Sequence, residues 1–143
     1  PELTLRFDMR EKQRDYTLAR RLVNHWRQFG RYFLGDYYPL TPYSQDRKVW
    51  MAWQFDCPET GEGLVQAFRR EDSPEASARP RLVGLDPNTN YTLTNLDIAG
   101  ATEMTGRELL ETGLPLSLPD RPGAVIIIYA KKEGTDNKKE RRS

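Results

Sequence analysis

The chain has 143 residues, 30% of them charged, with a formal net charge of +1. That length suits one domain of ordinary size, or one small domain with an appendage, and excludes two full domains. Near-cancelling charge leaves no field to hold a polyanion, and no apolar run approaches the roughly 20 residues that span a bilayer, so neither nucleic acid nor membrane is expected as a partner.

Leu3, Leu5 and Phe7 alternate with Thr4, Arg6 and Asp8, the period of a half-buried strand. The chain starts inside this strand, without methionine and without a charged segment leading into an apolar one, which fits a fragment or processed product of a longer protein. A polar loop, 9–14, leads to Asp15, which can cap a helix over Tyr16 to Phe29. Leu18, Leu22, Trp26 and Phe29 recur at helical spacing there, and Gly30 offers a stop. Strand, loop and helix make half of a βαβ unit. A parallel neighbour is needed to complete it, and the remainder of the chain has no alternating strand and helix pattern to supply one.

An aromatic, proline-punctuated connector follows, from Arg31 to Tyr43. Lys48 to Asp56 reads as a strand, apolar enough on both sides to be central, and Gly63 to Arg70 returns after the turn Pro58-Glu59-Thr60-Gly61. This hairpin is the expected core of the domain, with Trp53 and Phe68 expected to be buried. Shorter strands are predicted at Arg81 to Leu85, Tyr91 to Asn95, Thr102 to Met104, Pro115 to Leu118 and Ala124 to Ala130, with a turn at Asp86-Pro87-Asn88. Thr105 to Thr112 has the pattern of a short helix, with Thr105 and Glu108 spaced as a capping box and Gly113 as its stop. The basic end, Lys138-Lys139-Glu140-Arg141-Arg142, has no hydrophobic partner and reads as a solvated tail.

The fold class expected is mainly β: an antiparallel β-sandwich or Greek key preceded by a strand-helix remnant of a (β/α)8 barrel. The expected divisions are 1–47 for the last strand, helix and connector of a barrel, 48–131 for the β-domain and 132–143 for a disordered basic tail.

Little in the sequence carries chemistry by itself. One cysteine, Cys57, excludes an internal disulfide, and with a single histidine, His25, no zinc-ligand set can be drawn. His25 lies at the border of a helix's apolar face with no partner in sequence to orient it as a base. Gly61-Glu62-Gly63 is too short to cradle phosphate and sits in a hairpin turn. Asp8 stands at the end of a strand, where a barrel enzyme keeps its active site, and equally where an aspartate enters a helix. Aromatic faces in the connector suit the C–H side of a pyranose, whereas Trp50 and Trp53 within a strand more commonly mean core or interface. The compartment leans cytoplasmic on cysteine usage, with secretion of a parent protein left open.

Several stretches carry more than composition. They are Gly35-Asp36-Tyr37-Tyr38-Pro39-Leu40-Thr41-Pro42, Trp50-Met51-Ala52-Trp53-Gln54-Phe55, Val65-Gln66-Ala67-Phe68-Arg69-Arg70, Leu82-Val83-Gly84-Leu85-Asp86-Pro87 and Met104-Thr105-Gly106-Arg107-Glu108-Leu109. Together they closely resemble the junction after the barrel and the C-terminal domain of family 36 glycoside hydrolases, the α-galactosidase and raffinose-hydrolysing group. The likeness runs from about Asp15 to Tyr129. It implies an upstream catalytic barrel as partner in the same polypeptide, an oligosaccharide substrate for the full enzyme, and no cofactor or metal. It also implies that the two catalytic aspartates lie on earlier barrel strands. No Lys-Trp-Asp nucleophile motif occurs here. Arg6-Phe7-Asp8 echoes the family's acid/base segment without its surrounding residues, so no catalytic residue is assigned in this chain, and substrate-binding residues stay unassigned. The alternatives are a stand-alone carbohydrate-binding sandwich, which requires exposed aromatics, and an interaction module, in which the bared strand and helix stripe would favour a homodimer.

Overall fold

In the computed structural model, residues 10, 12–13 and 15–132 are described. The expected strand Leu3 to Asp8 and the tail from 133 onwards lie outside them. Asp15 caps helix α1, Tyr16–Phe29, its carboxylate accepting from the N–H groups of Thr17 and Leu18 at 3.0 Å each. Gly30 does not stop the chain's coiling as expected. A 3-10 helix continues over Gly30–Leu34, and Gly30 instead makes room for Trp26, whose ring would lie 2.9 Å from an added Cβ.

Eight strands follow: β1 Asp36–Pro39, β2 Met51–Cys57, β3 Glu62–Arg69, β4 Ser77–Ala78, β5 Asn90–Asn95, β6 Thr102–Thr105, β7 Leu116–Ser117 and β8 Gly123–Lys131, with helix α2, Gly106–Glu111, between β6 and β7. Six of them form one sheet in the order β1-β2-β3-β8-β5-β6, and every neighbouring pair is antiparallel. The mainly β, antiparallel character expected from the sequence holds. The second layer is thinner than a full sheet: the two-stranded β4–β7 ladder, α2 and the coil before β5 bring Leu82, Leu85, Leu109, Leu114 and Leu116 onto the main sheet.

Two expectations change. Arg81 to Leu85 forms no strand, although Leu82 and Leu85 are buried. Its backbone is satisfied without a ladder, since the Leu82 N–H donates to the Leu109 carbonyl at 3.0 Å and Val83 exchanges two hydrogen bonds with the Gln54 side-chain amide. Conversely, four residues of the aromatic connector become β1, an edge strand pairing Asp36 with Asp56 and Pro39 with Trp53. An edge is where a strand tolerates proline.

The register decides which side chains enter the core. Ala52, Gln54 and Asp56 of β2 stand opposite Ala67, Val65 and Gly63 of β3, and these face Val125, Ile127 and Tyr129 of β8 within or beside the main hydrophobic cluster. The alternate residues, Met51, Trp53, Phe55 and Cys57, point to the other side of the sheet. There Phe29, Tyr32 and Leu64 form a second, smaller cluster with Phe33, Phe55, Ile126 and Ile128. That cover ends before it reaches Trp53 and Phe68. Both are half-buried, not buried as expected, because nothing among the described residues lies over that end of the face.

Candidate functional site

Asp56 is the one buried carboxylate of the described residues, only 4% exposed. β2 and β1 place it directly opposite Asp36, a pairing invisible in the sequence before the register is known. Adjacent carboxylates of this kind are the raw material of acid/base chemistry. Here the buried member is already engaged. The Tyr129 hydroxyl donates to Asp56 Oδ1 while accepting from Gln54 Nε2 at 2.8 Å, and Gln54 in turn holds the Val83 backbone through 2.9 Å bonds. Burial pushes the Asp56 carboxyl above its usual range, the Tyr129 hydrogen bond lowers it, and the charges of Asp36 and Glu59 add to the rise. Burial, with the Asp56 bond, also holds the Tyr129 phenol protonated. A carboxylate sealed in this way ties the loop 82–84 to the sheet and is closed to a glycosidic oxygen.

Two outward-facing features of the described residues bear on function. The first is the apolar stripe of α1, where Leu18 is 42% and Leu22 50% exposed, while Trp26 and Phe29 reach the second cluster. The helix touches the sheet only through its last turn and the 3-10 segment beyond it. His25 sits half-buried on the same helix, and no carboxylate is placed to orient it among the hydrogen bonds described. The second is a groove of about 500 Å³ over the bare end of the sheet, lined by Arg47, Met51, Trp53, Phe68, Arg69, Arg70, Glu71, Pro122 and Gly123. Its floor is the Trp53–Phe68 ring pair, with centroids 5.1 Å apart. Sequence reading missed it because Trp53 and Phe68 were assigned to the core. Among the described residues, no cluster of His, Cys, Asp and Glu could hold a metal ion, and no helix is long and apolar enough to cross a membrane. Cys57 is a free thiol, its pKa raised chiefly by burial.

Residues 50–134 match the model of the glycosyl hydrolase family 36 C-terminal domain, more than half of the chain. The chain belongs to that family. The α-galactosidase AgaB from Geobacillus stearothermophilus, a family 36 enzyme, is 25% identical with a TM-score of 0.62 over 85% of this chain. The α-galactosidase AgaA from the same organism is 21% identical and superimposes over the same share with a TM-score of 0.68, which is a likeness of fold. The chain spans only 16% of the length of AgaB and 17% of that of AgaA. No curated protein matches the chain. The resemblance read from the sequence motifs is therefore correct at the level of the family, and the chain is related to α-galactosidases through their C-terminal domain.

Proposed function

We propose that this chain is the non-catalytic C-terminal portion of an α-galactosidase-like retaining glycoside hydrolase, that its β-domain stabilises the catalytic barrel of the same polypeptide, and that the full enzyme hydrolyses terminal α-galactosides. The observation that carries this reading is α1. A helix with an exposed leucine stripe, held to its own domain by one end only, is built to be covered by something else. In this reading α1 is the barrel's last helix, and Leu18 and Leu22 face the barrel's strands. The single thiol, Cys57, suits a cytoplasmic parent. Without the barrel, the same stripe would draw two copies of the chain into a dimer.

A retaining mechanism needs two carboxylates about 5–5.5 Å apart and open to substrate. The Asp36–Asp56 neighbours do not meet that need, since Asp56 is enclosed. The purified chain is therefore expected to leave aryl α-galactosides intact, and turnover abolished by Asp8→Asn would refute the reading. The barrel contact is tested by Leu18→Glu with Leu22→Glu in the protein expressed from the full reading frame. Its melting temperature should fall by several degrees while that of the 143-residue chain hardly moves. Equal effects on both would remove the barrel as the helix's partner.

A further inference from the structure

A separate concavity, of about 400 Å³, opens between the end of β1 and the segment that follows β4, and it shares no lining residue with the groove over Trp53 and Phe68. Much of its wall is apolar: Leu40, Trp50 and Ala52 from around the β1–β2 pairing, joined by Ala78 and Pro80. Trp50 contributes only its ring, because its indole N–H already donates to the Glu75 carbonyl at 2.9 Å. Thr41 adds a hydroxyl whose oxygen accepts from the Ala52 N–H at 3.1 Å and whose hydrogen has no acceptor among the hydrogen bonds described. Arg79 and Arg81 complete the lining, which holds no aspartate or glutamate among the described residues.

These two arginines differ from their neighbours. Between residues 48 and 131 the other arginines are all engaged: Arg69 holds the carbonyls of Leu118, Pro119 and Ser73, Arg70 those of Ser44 and Asp46, Arg121 that of Ser73, and Arg107 pairs with Glu111. Arg79 and Arg81 make no side-chain hydrogen bond or ion pair among the described residues. Their placement is nonetheless fixed. Pro80 and Leu82 are buried while both arginines are exposed, so the two basic side chains leave the segment on its solvent side. The backbone beneath them is pinned, the Pro80 carbonyl accepting from the Leu114 N–H at 2.8 Å and the Leu82 N–H donating to the Leu109 carbonyl at 3.0 Å. Two uncompensated positive charges and an available hydroxyl donor therefore line one apolar hollow.

A ligand suited to such a place has negative charge at one end and an apolar body at the other. A volume of about 400 Å³ lies within the range of small-molecule pockets, about 300–1,000 Å³. A carboxylate would neutralise one arginine. A phosphate monoester, with a charge of about −1.5 to −2 at pH 7 and three acceptor oxygens, answers both arginines and the hydroxyl. A long polyanion is disfavoured, since the charges of the whole chain nearly cancel at +1. We propose that this concavity binds a small phosphate monoester borne on an apolar ring, the phosphate between Arg79 and Arg81 and the ring against Leu40 and Trp50. The site stands or falls separately from the barrel reading, which concerns α1.

The test is an NMR titration of the ¹⁵N-labelled 143-residue chain, in phosphate-free buffer, with phenyl phosphate, inorganic phosphate and benzoate. Phenyl phosphate should give saturable shifts at the Trp50 indole N–H and at the backbone amides of Thr41, Ala52, Arg79 and Arg81. Inorganic phosphate, lacking the ring, and benzoate, lacking the second charge, should each bind about tenfold more weakly at the same signals. Arg79→Ala and Arg81→Ala remove exposed side chains without partners, so each should keep the fold and weaken phenyl phosphate about tenfold. The proposal is overturned if phenyl phosphate gives no saturable shifts at these positions, if benzoate or inorganic phosphate binds as tightly, or if the folded arginine variants bind as the parent chain does.

Discussion

A single carboxyl group shows how this domain uses polar residues inside its core. Asp56 is buried, yet the Tyr129 hydroxyl gives it a hydrogen bond, and Gln54 bridges that hydroxyl to the Val83 backbone. Its raised pKa means that the folded state binds the proton more tightly than the unfolded chain does. The associated stability is complete below the unfolded carboxyl pKa of about 3.9 and is lost as the pH climbs through the raised folded value. Asp56→Asn cannot ionise but keeps an acceptor for Tyr129. Urea unfolding at about pH 3 and about pH 7 should show the variant gaining on the parent protein as the pH rises. A constant difference between the two proteins would mean that Asp56 does not titrate in this range. Gly63 is the complementary case, since an added Cβ would lie 2.1 Å from the Tyr129 ring and 2.5 Å from the Phe55 carbonyl. Gly63→Ala should therefore cost about 1–3 kcal/mol, the usual toll of overpacking, visible as a lower urea midpoint. None of this polar cluster was legible in the sequence. The Met51, Trp53 and Phe55 set is bulkier than Ala52, Gln54 and Asp56, so hydrophobicity alone points the core to the wrong face of β2. The neighbours decide otherwise, since Val65, Ala67, Val125 and Ile127 close over the smaller set.

Among the elements, the two helices were the best written in the sequence, because both begin with signals that act locally. Asp15 caps α1, and Thr105 with Glu108 forms the full capping box of α2, the Thr105 hydroxyl and N–H both reaching the carboxylate at 2.8 Å. These bonds hold the Glu108 carboxyl below its ordinary range. Strand limits were nearly as clear in the Met51 to Arg69 hairpin, where turn residues bracket two apolar runs. β1 and β4 were hidden for a physical reason: a four-residue edge strand containing Pro39 and a two-residue ladder depend on distant partners, and no local propensity marks them. The role of α2 as a lid on the sheet follows from Leu109, which is fully buried. Leu109→Ala should cost about 2–5 kcal/mol and lower the unfolding midpoint accordingly. Leu22→Ser on α1 should move it by no more than about 0.5 kcal/mol in the isolated chain, because Leu22 is half exposed. Analytical ultracentrifugation of the same variant should show weaker self-association if the stripe is sticky.

Taken whole, the molecule is held by a sheet whose strand order departs from its sequence order at one place. β1, β2 and β3 form a meander, β5 and β6 a hairpin, and β8 lies between the two groups, pairing with β3 along Glu62 to Arg69 and with β5 along Tyr91 to Asn95. Sequence patterning announced β8 as an apolar run over Ala124 to Ala130, but not its place, since a central strand and a buried edge read alike. The family resemblance located the domain, and the register explained why its aromatic hairpin is open to solvent on one side. The position of β8 also sets a timetable. Of the eight strands described, β8 comes last along the chain, so until residue 131 has emerged β3 and β5 lack the strand that joins them and the core lacks Val125, Ile127 and Tyr129. A chain terminated before Gly123 should therefore be sensitive to protease and prone to aggregate, even with the seven preceding strands described here present.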